Sequence, residues 1–253
     1  MPLLRDLDGV ELTAPVTFLV GENGAGKSTL LEGMAAGMRA VAVGGRDLAR
    51  DPTLAAAREM ARGFRFVRRR HARVRLFLRA EDVFGFTNRV ADEMRDLAEA
   101  EDSFGRTMPE GHGRRLAQGV VRGQRMALEQ SYGANPDGRS HGETFLALLR
   151  RRLVPGGLFF LDEPETPLSP ARVLALMAML AEGVARGSQF VVATHSPILM
   201  ALPGAAILEV GAAGVRPVAW DDVEHVRETR AFLADPARVL RQVLGDAEAG
   251  RDG

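Results

Sequence analysis

The chain has 253 residues, 46% hydrophobic and 26% charged, with 33 basic and 33 acidic side chains and a formal net charge of zero; that length supports one large core with room for an insertion, and neutrality excludes a global field that recruits nucleic acid or membrane. Cysteine is absent, which excludes disulfides and thiolate metal sites and fits a reducing, cytoplasmic setting. No apolar run approaches the roughly 20 residues needed to cross a bilayer, and the opening Met-Pro-Leu-Leu-Arg-Asp lacks the form of a signal peptide, so no direct membrane insertion is expected.

The first predicted element is a buried strand at Val16–Val20, all apolar but Thr17. It runs into Gly21-Glu-Asn-Gly-Ala-Gly-Lys-Ser28, a complete G-x-x-x-x-G-K-[ST] phosphate loop. Lys27 is the only lysine in the chain. Gly21, Gly24 and Gly26 free the backbone to curl, so that N–H groups around Asn23 and Ala25 cradle phosphate oxygens. A helix expected from Ser28 to about Val41 aims its positive end at the same place. A compact ammonium reaches between β- and γ-phosphates where a guanidinium does not fit. Ser28 is the expected Mg²⁺ ligand, and Thr29 supports a phosphate nearer the ribose.

The middle, about 46–137, is richer in charge and reads as a helical insertion. It contains a strand at Val74–Arg79, a helix over about Phe86–Glu101, a glycine-rich loop near Phe104–Gly113 and a helix to about Gln130. No heptad pattern persists, which argues against a long coiled coil. Arg65, Arg68, Arg69, Arg70, Arg73 and Arg75 crowd one segment. Such a patch can neutralise nucleic-acid phosphates, but with little aromatic interleaving in an arginine-biased chain a solvated edge is the favoured reading.

From about residue 138 the alternation of strand and helix resumes. Arg139-Ser-His-Gly-Glu-Thr144 opens a helix to Arg152, with Ser140 as cap and Gly142 permitting close approach, a second anion-binding helix start. Leu158-Phe-Phe-Leu-Asp162 is apolar on both faces, as a central parallel strand is. Asp162 at its carboxyl end can join a Mg²⁺ shell, and Glu163 next to it can orient or deprotonate an attacking water. A helix follows from Pro170 to about Arg186, with Ser169 as N-cap and Gly187 past its end; its stripe Val173, Leu174, Leu176, Met177 and Leu180 should pack on the sheet. The strand Gln189–Thr194 ends in His195, a neutral imidazole suited to contact the water or the γ-phosphate. A short helical turn after Pro197, a hairpin over Ala206–Val210 and Val215–Ala219, and a helical tail, about 221–253, complete the chain.

The order of these four motifs resembles the ABC-type ATPases. The wording Ser-His-Gly-Glu-Thr-Phe-Leu-Ala-Leu-Leu, Phe-Phe-Leu-Asp-Glu-Pro-Glu and Ala-Thr-His-Ser-Pro-Ile-Leu is most similar to the soluble bacterial AAA family ATPases related to SMC and RecF-type heads. The resemblance spans about 1–45 and 138–215 and implies an α/β P-loop NTPase fold: a mainly parallel sheet flanked by helices, as a single domain with core about 1–45 and 138–220. It further implies ATP and Mg²⁺ as ligands, hydrolysis to ADP and phosphate, and an ATP-induced homodimer in which Ser140 and Gly142 reach the γ-phosphate held by the partner's Lys27. The loop Thr166-Pro-Leu-Ser-Pro170 would cross that interface.

Four departures stand out. The signature reads Ser-His-Gly-Glu-Thr in place of two glycines and a glutamine, Ser169 stands where many members carry aspartate, and the Mg²⁺-joining glutamine is missing after the middle strand, with Arg79 or Glu81 in its place. No aromatic residue precedes Phe18 to stack on adenine. The expected function is an ATPase that moves or licenses a partner protein in DNA maintenance or defence; a transporter's nucleotide-binding subunit is the alternative, and a small-molecule kinase is disfavoured.

Overall fold

A computed structural model describes residues 9–43, 54–132 and 141–244. The described elements run β1 (Val16–Val20), α1 (Lys27–Gly37), β2 (Val41–Ala42), α2 (Ala55–Arg62), β3 (Arg75–Arg79), α3 (Ala80–Thr107), α4 (His112–Tyr132), α5 (His141–Arg152), β4 (Leu158–Asp162), α6 (Pro170–Ala185), β5 (Gln189–Ala193), α7 (Pro197–Met200), β6 (Ala206–Gly211), β7 (Gly214–Pro217), α8 (Glu224–Ala234) and α9 (Pro236–Leu244).

The strands form one sheet in the order β2-β3-β4-β5-β1-β6-β7. All neighbours are parallel except the β6–β7 hairpin. β1 is buried throughout because it lies between β5 and β6 with helices on both faces. The period-two alternation of strand side chains sorts them into two cores. Phe18, Phe159, Leu161, Phe190 and Val192 join the core that includes Phe145, Leu149, Leu176 and Leu180 from α5 and α6. Leu19, Phe160, Val191 and Ala193 face the other core, with Leu30, Leu31 and Ala35 of α1. Phe159 stacks on Phe190 with centroids 5.2 Å apart.

The fold is thus α/β with a mostly parallel sheet flanked by helices, as the motifs imply. Several local expectations need correction. The first helix does not reach Val41: it ends at Gly37, Arg39 turns the chain at φ 53°, and Val41–Ala42 pair with Leu76–Phe77 as an edge strand. The middle segment supplies β3 to the same sheet, next to β4. Its first long helix extends over 80–107 rather than 86–101, which shortens the expected glycine-rich loop to residues 108–111. In α6, Leu174 is 57% exposed, whereas the rest of its stripe packs inward. Ser169 stands at the N-cap without a capping hydrogen bond from its side chain. The tail forms two helices, and Asp235 caps the second by accepting from the Arg238 N–H at 3.0 Å. No helix among the described residues is long and apolar enough to cross a membrane.

Candidate phosphate and water site

Residues from four separate stretches of sequence meet at the carboxyl end of the sheet, where ligands bind in open α/β folds. The loop after β1 turns on three glycines with positive φ: 137° at Gly21, 79° at Gly24 and 97° at Gly26. Gly21 cannot be replaced without a shift, since a Cβ there would lie 2.2 Å from the Val210 carbonyl oxygen. Gly26 is also the N-cap of α1, so the free N–H groups of that helix's first turn open onto the loop. Lys27 is 5% exposed and donates to the carbonyls of Gly21 and Glu22, both at 2.9 Å. Burial draws its ammonium below the ordinary lysine value, while Glu163, Asp162 and Glu165 push it back up.

Strand alternation turns Asp162 toward the α1 face along with Phe160. There its Oδ1 accepts from Ser28 Oγ at 3.0 Å. The predicted metal pair is therefore in direct contact: a hydroxyl and a carboxylate, hard oxygens of the kind Mg²⁺ takes together with phosphates and waters. Burial pushes the Asp162 carboxyl up to about 6, against the lowering effect of Ser28 and Arg79. Arg79, at the end of β3, pairs with Glu32 of α1 and lies 3.6 Å from Asp162 Oδ2. Of the two candidates for the missing glutamine, Arg79 reaches the site and Glu81 lies exposed in the first turn of α3. A guanidinium has no lone pair for a metal, so Arg79 contributes charge to the site rather than a ligand.

Glu163 leaves the strand at φ 45°, a strained value for a side chain with a Cβ. Its N–H still donates to the Ala193 carbonyl at 2.9 Å, while its carboxylate is half exposed and Oε1 lies 3.7 Å from His195 Nε2. The structure thus brings together both residues predicted to handle the water. Behind them sits Glu165, a residue whose role the sequence did not reveal. Its Oε1 accepts from Thr194 Oγ1 at 2.5 Å and from the His195 N–H at 2.8 Å, tying the end of β4 to the end of β5. Burial raises its carboxyl above the usual range. His195 Nδ1 lies 3.1 Å from Nε2 of His225 on α8, a second partner with no sequence signal.

The other predicted residues divide. Asn23 and Ala25 lie in the phosphate loop, and Thr29 lines a neighbouring cleft of about 1750 Å³. Arg65, Arg68, Arg69, Arg70 and Arg73 are exposed along that cleft. Gly142 is buried at the start of α5, where a Cβ would come 2.7 Å from the Pro167 carbonyl. The helix start and the loop Thr166–Pro170 are therefore packed together. Ser140 and the expected disordered end of the tail lie outside the described residues.

A family model described as "AAA domain, putative AbiEii toxin, Type IV TA system" matches residues 35–201. No match was found among curated proteins. Among solved structures, the chain is similar to an ATP-binding subunit of an ABC transporter, at 20% identity over 86% of this chain and 82% of that one, with a TM-score of 0.39. It is also similar to cbiO1 from Clostridium perfringens, part of an ABC transporter complex (16% identity, 93% and 90% covered, TM-score 0.42). A third is a dimeric ATP-binding cassette in a post-hydrolysis state bound to ADP and phosphate (17% identity, 83% and 88% covered, TM-score 0.41).

Proposed function

The chain belongs to this AAA-domain family, and on that premise we propose that it is a soluble ABC-type ATPase that hydrolyses ATP to ADP and phosphate at composite sites of an ATP-induced homodimer. One observation supports the reading above others: Lys27, the contacting pair Ser28 and Asp162, and the pair Glu163 and His195 converge on one sheet end from three sequence stretches.

Bound Mg²⁺ would neutralise β- and γ-phosphate charge, held through Ser28 and Asp162. Lys27 leaves its loop carbonyls to contact the same phosphates, and the α1 N-terminus supplies N–H donors. Glu163 accepts the proton of the attacking water or orients it. His195 faces the same water and the γ-phosphate. Because Gly142 packs on the loop Thr166–Pro170, the start of α5 and the crossing loop lie side by side, where a second subunit's phosphate loop would meet them, with Ser140 as the expected γ-phosphate contact. The cycle of closing and opening drives a partner protein; the toxin–antitoxin wording of the family description favours defence as the setting.

Lys27 offers a direct test as the only lysine. Amine-directed labelling should modify Lys27 and the N-terminus, saturating Mg-ATP should protect Lys27, and Lys27→Ala should abolish phosphate release. Labelling unchanged by Mg-ATP, or phosphate release undiminished in the variant, overturns the proposal.

A further inference from the structure

His225 belongs to the tail, a part of the chain that carries none of the motifs, yet it is fixed against the water site. Helix α8 is seated by Val223 and Val226, each 2% exposed. Just before it, the Trp220 indole donates to the Pro197 carbonyl at 3.0 Å, pinning the tail to the turn that follows His195. The two imidazoles meet with centroids 4.8 Å apart and planes tilted by 59°, and His195 Nδ1 lies 3.1 Å from His225 Nε2.

Two ring nitrogens at that distance need one proton between them: one donates and the other accepts. The opposite edge of His195 decides which. Its Nε2 faces Oε1 of Glu163 at 3.7 Å, and a carboxylate only accepts. A lone pair on Nε2 would repel that oxygen, whereas an N–H is attracted to it. Neutral imidazole has a single N–H. If Nε2 carries it, Nδ1 must accept, and His225 must donate through its own Nε2–H. The charged groups around the pair agree: Glu163 lies on the Nε2 side, Lys27 disfavours a second proton on His195, and burial holds the ring neutral.

We propose that His225 is a positioning residue which, by donating from Nε2 to His195 Nδ1, locks His195 in the Nε2–H tautomer and aims that N–H at Glu163 and at the incoming γ-phosphate. The role rests on the hydrolysis reading above. It makes α8 part of the water site: a tail helix that shifts takes the donor with it, and the distant Glu163 carboxylate, 3.7 Å from Nε2, is then left as a weak hold on the tautomer and orientation of His195. Catalytic competence is thereby coupled to the docking of the tail.

The test uses the full chain labelled with ¹⁵N-histidine, with the His195 ring signals assigned by His195→Gln. Long-range ¹H–¹⁵N spectra without nucleotide should show His195 as the Nε2–H tautomer. His225→Phe, which keeps ring volume but has no donor, should give mixed tautomers and lower kcat about 10- to 100-fold, the scale for losing a group that orients a functional imidazole, with little change in the KM for ATP. His225→Gln, which restores an N–H donor, should recover the tautomer and most of kcat. If His195 keeps the Nε2–H tautomer in His225→Phe, or sits as Nδ1–H in the wild type, the proposal is overturned. Should His225→Phe not fold, a wild-type tautomer together with His225→Gln decides it: failure of a folded His225→Gln to hold the Nε2–H form counts against the proposal. A wild type that releases no phosphate would sink the hydrolysis reading alone, since the tautomer is read without ATP.

Discussion

Asp162 illustrates what the site demands of a single residue. Its carboxyl must be ionised to hold a metal, yet it is buried behind Ser28 and Arg79, and burial has pushed it from 3.8 up to about 6. The native state therefore holds this proton more tightly than the unfolded chain. The resulting stability is complete below about pH 4 and is lost as pH rises through about 6, a loss of about 3 kcal/mol. Asp162→Asn keeps an acceptor for Ser28 without the buried charge. In the absence of nucleotide it should melt about 5 °C higher than wild type at pH 8, and the gap should close by pH 5; differential scanning calorimetry at the two pH values checks this, and a lower melting point at pH 8 would contradict it. The same variant should lose the stabilisation that Mg-ATP gives the wild type. The position of Asp162 was legible in the sequence because a carboxylate at the end of a doubly buried strand has few structural uses. Glu32, Glu165 and His225 were not: each meets the site through a side-chain contact across 30 or more residues of chain, and no spacing rule reports such contacts.

Elements were legible where hydrophobic periodicity and punctuation agreed. The strands at 16–20, 158–162 and 189–193 and the helix opened by Pro170 fall where their apolar runs and flanking glycines put them. Boundaries failed where tertiary pairing overrode propensity, as at Val41, which leaves a helical pattern to pair with β3. The α3–α4 hairpin was the least legible because charge pairs hold much of it together. Glu101 accepts from Arg122 Nε at 2.7 Å and lies 3.2 Å from an Arg125 nitrogen, and the Arg122 hydrogen bond holds its carboxyl below the usual glutamate range. Leu116, Val120 and Met126 remain exposed on α4. Glu101→Ala should accelerate amide hydrogen exchange throughout α3 and α4 while leaving ATP binding within about twofold of wild type, because the partners of Glu101, Arg122 and Arg125, are not residues of the phosphate site. Unchanged exchange would show that apolar contacts alone fix the hairpin.

At the scale of the whole molecule, the proposed dimer makes hydrolysis and association inseparable. Glu163→Gln should retain ATP binding, slow phosphate release by at least about 10²-fold, and accumulate as a dimer in Mg-ATP, which light scattering detects; a variant that stays monomeric with ATP bound would refute the sandwich arrangement. The family was legible from four motifs in order, whereas the tail's part in the site was not, since it depends on how α8 folds back.

The strand order also bears on how the protein is made. β1 and its phosphate loop are synthesised long before either of their sheet neighbours: the residue beside Val16 is Phe190, and on the other side Thr17 aligns with Ala206. Five consecutive buried residues thus wait, without a neighbour on either side, until most of the chain has been translated. A product cut short before Gln189 carries the entire phosphate-loop sequence and lacks both strands that hold it in shape. The nucleotide site is in this sense completed late, although its signature is synthesised well before the strands that hold it, and premature termination yields an apolar strand in search of a partner rather than a smaller ATP-binding protein.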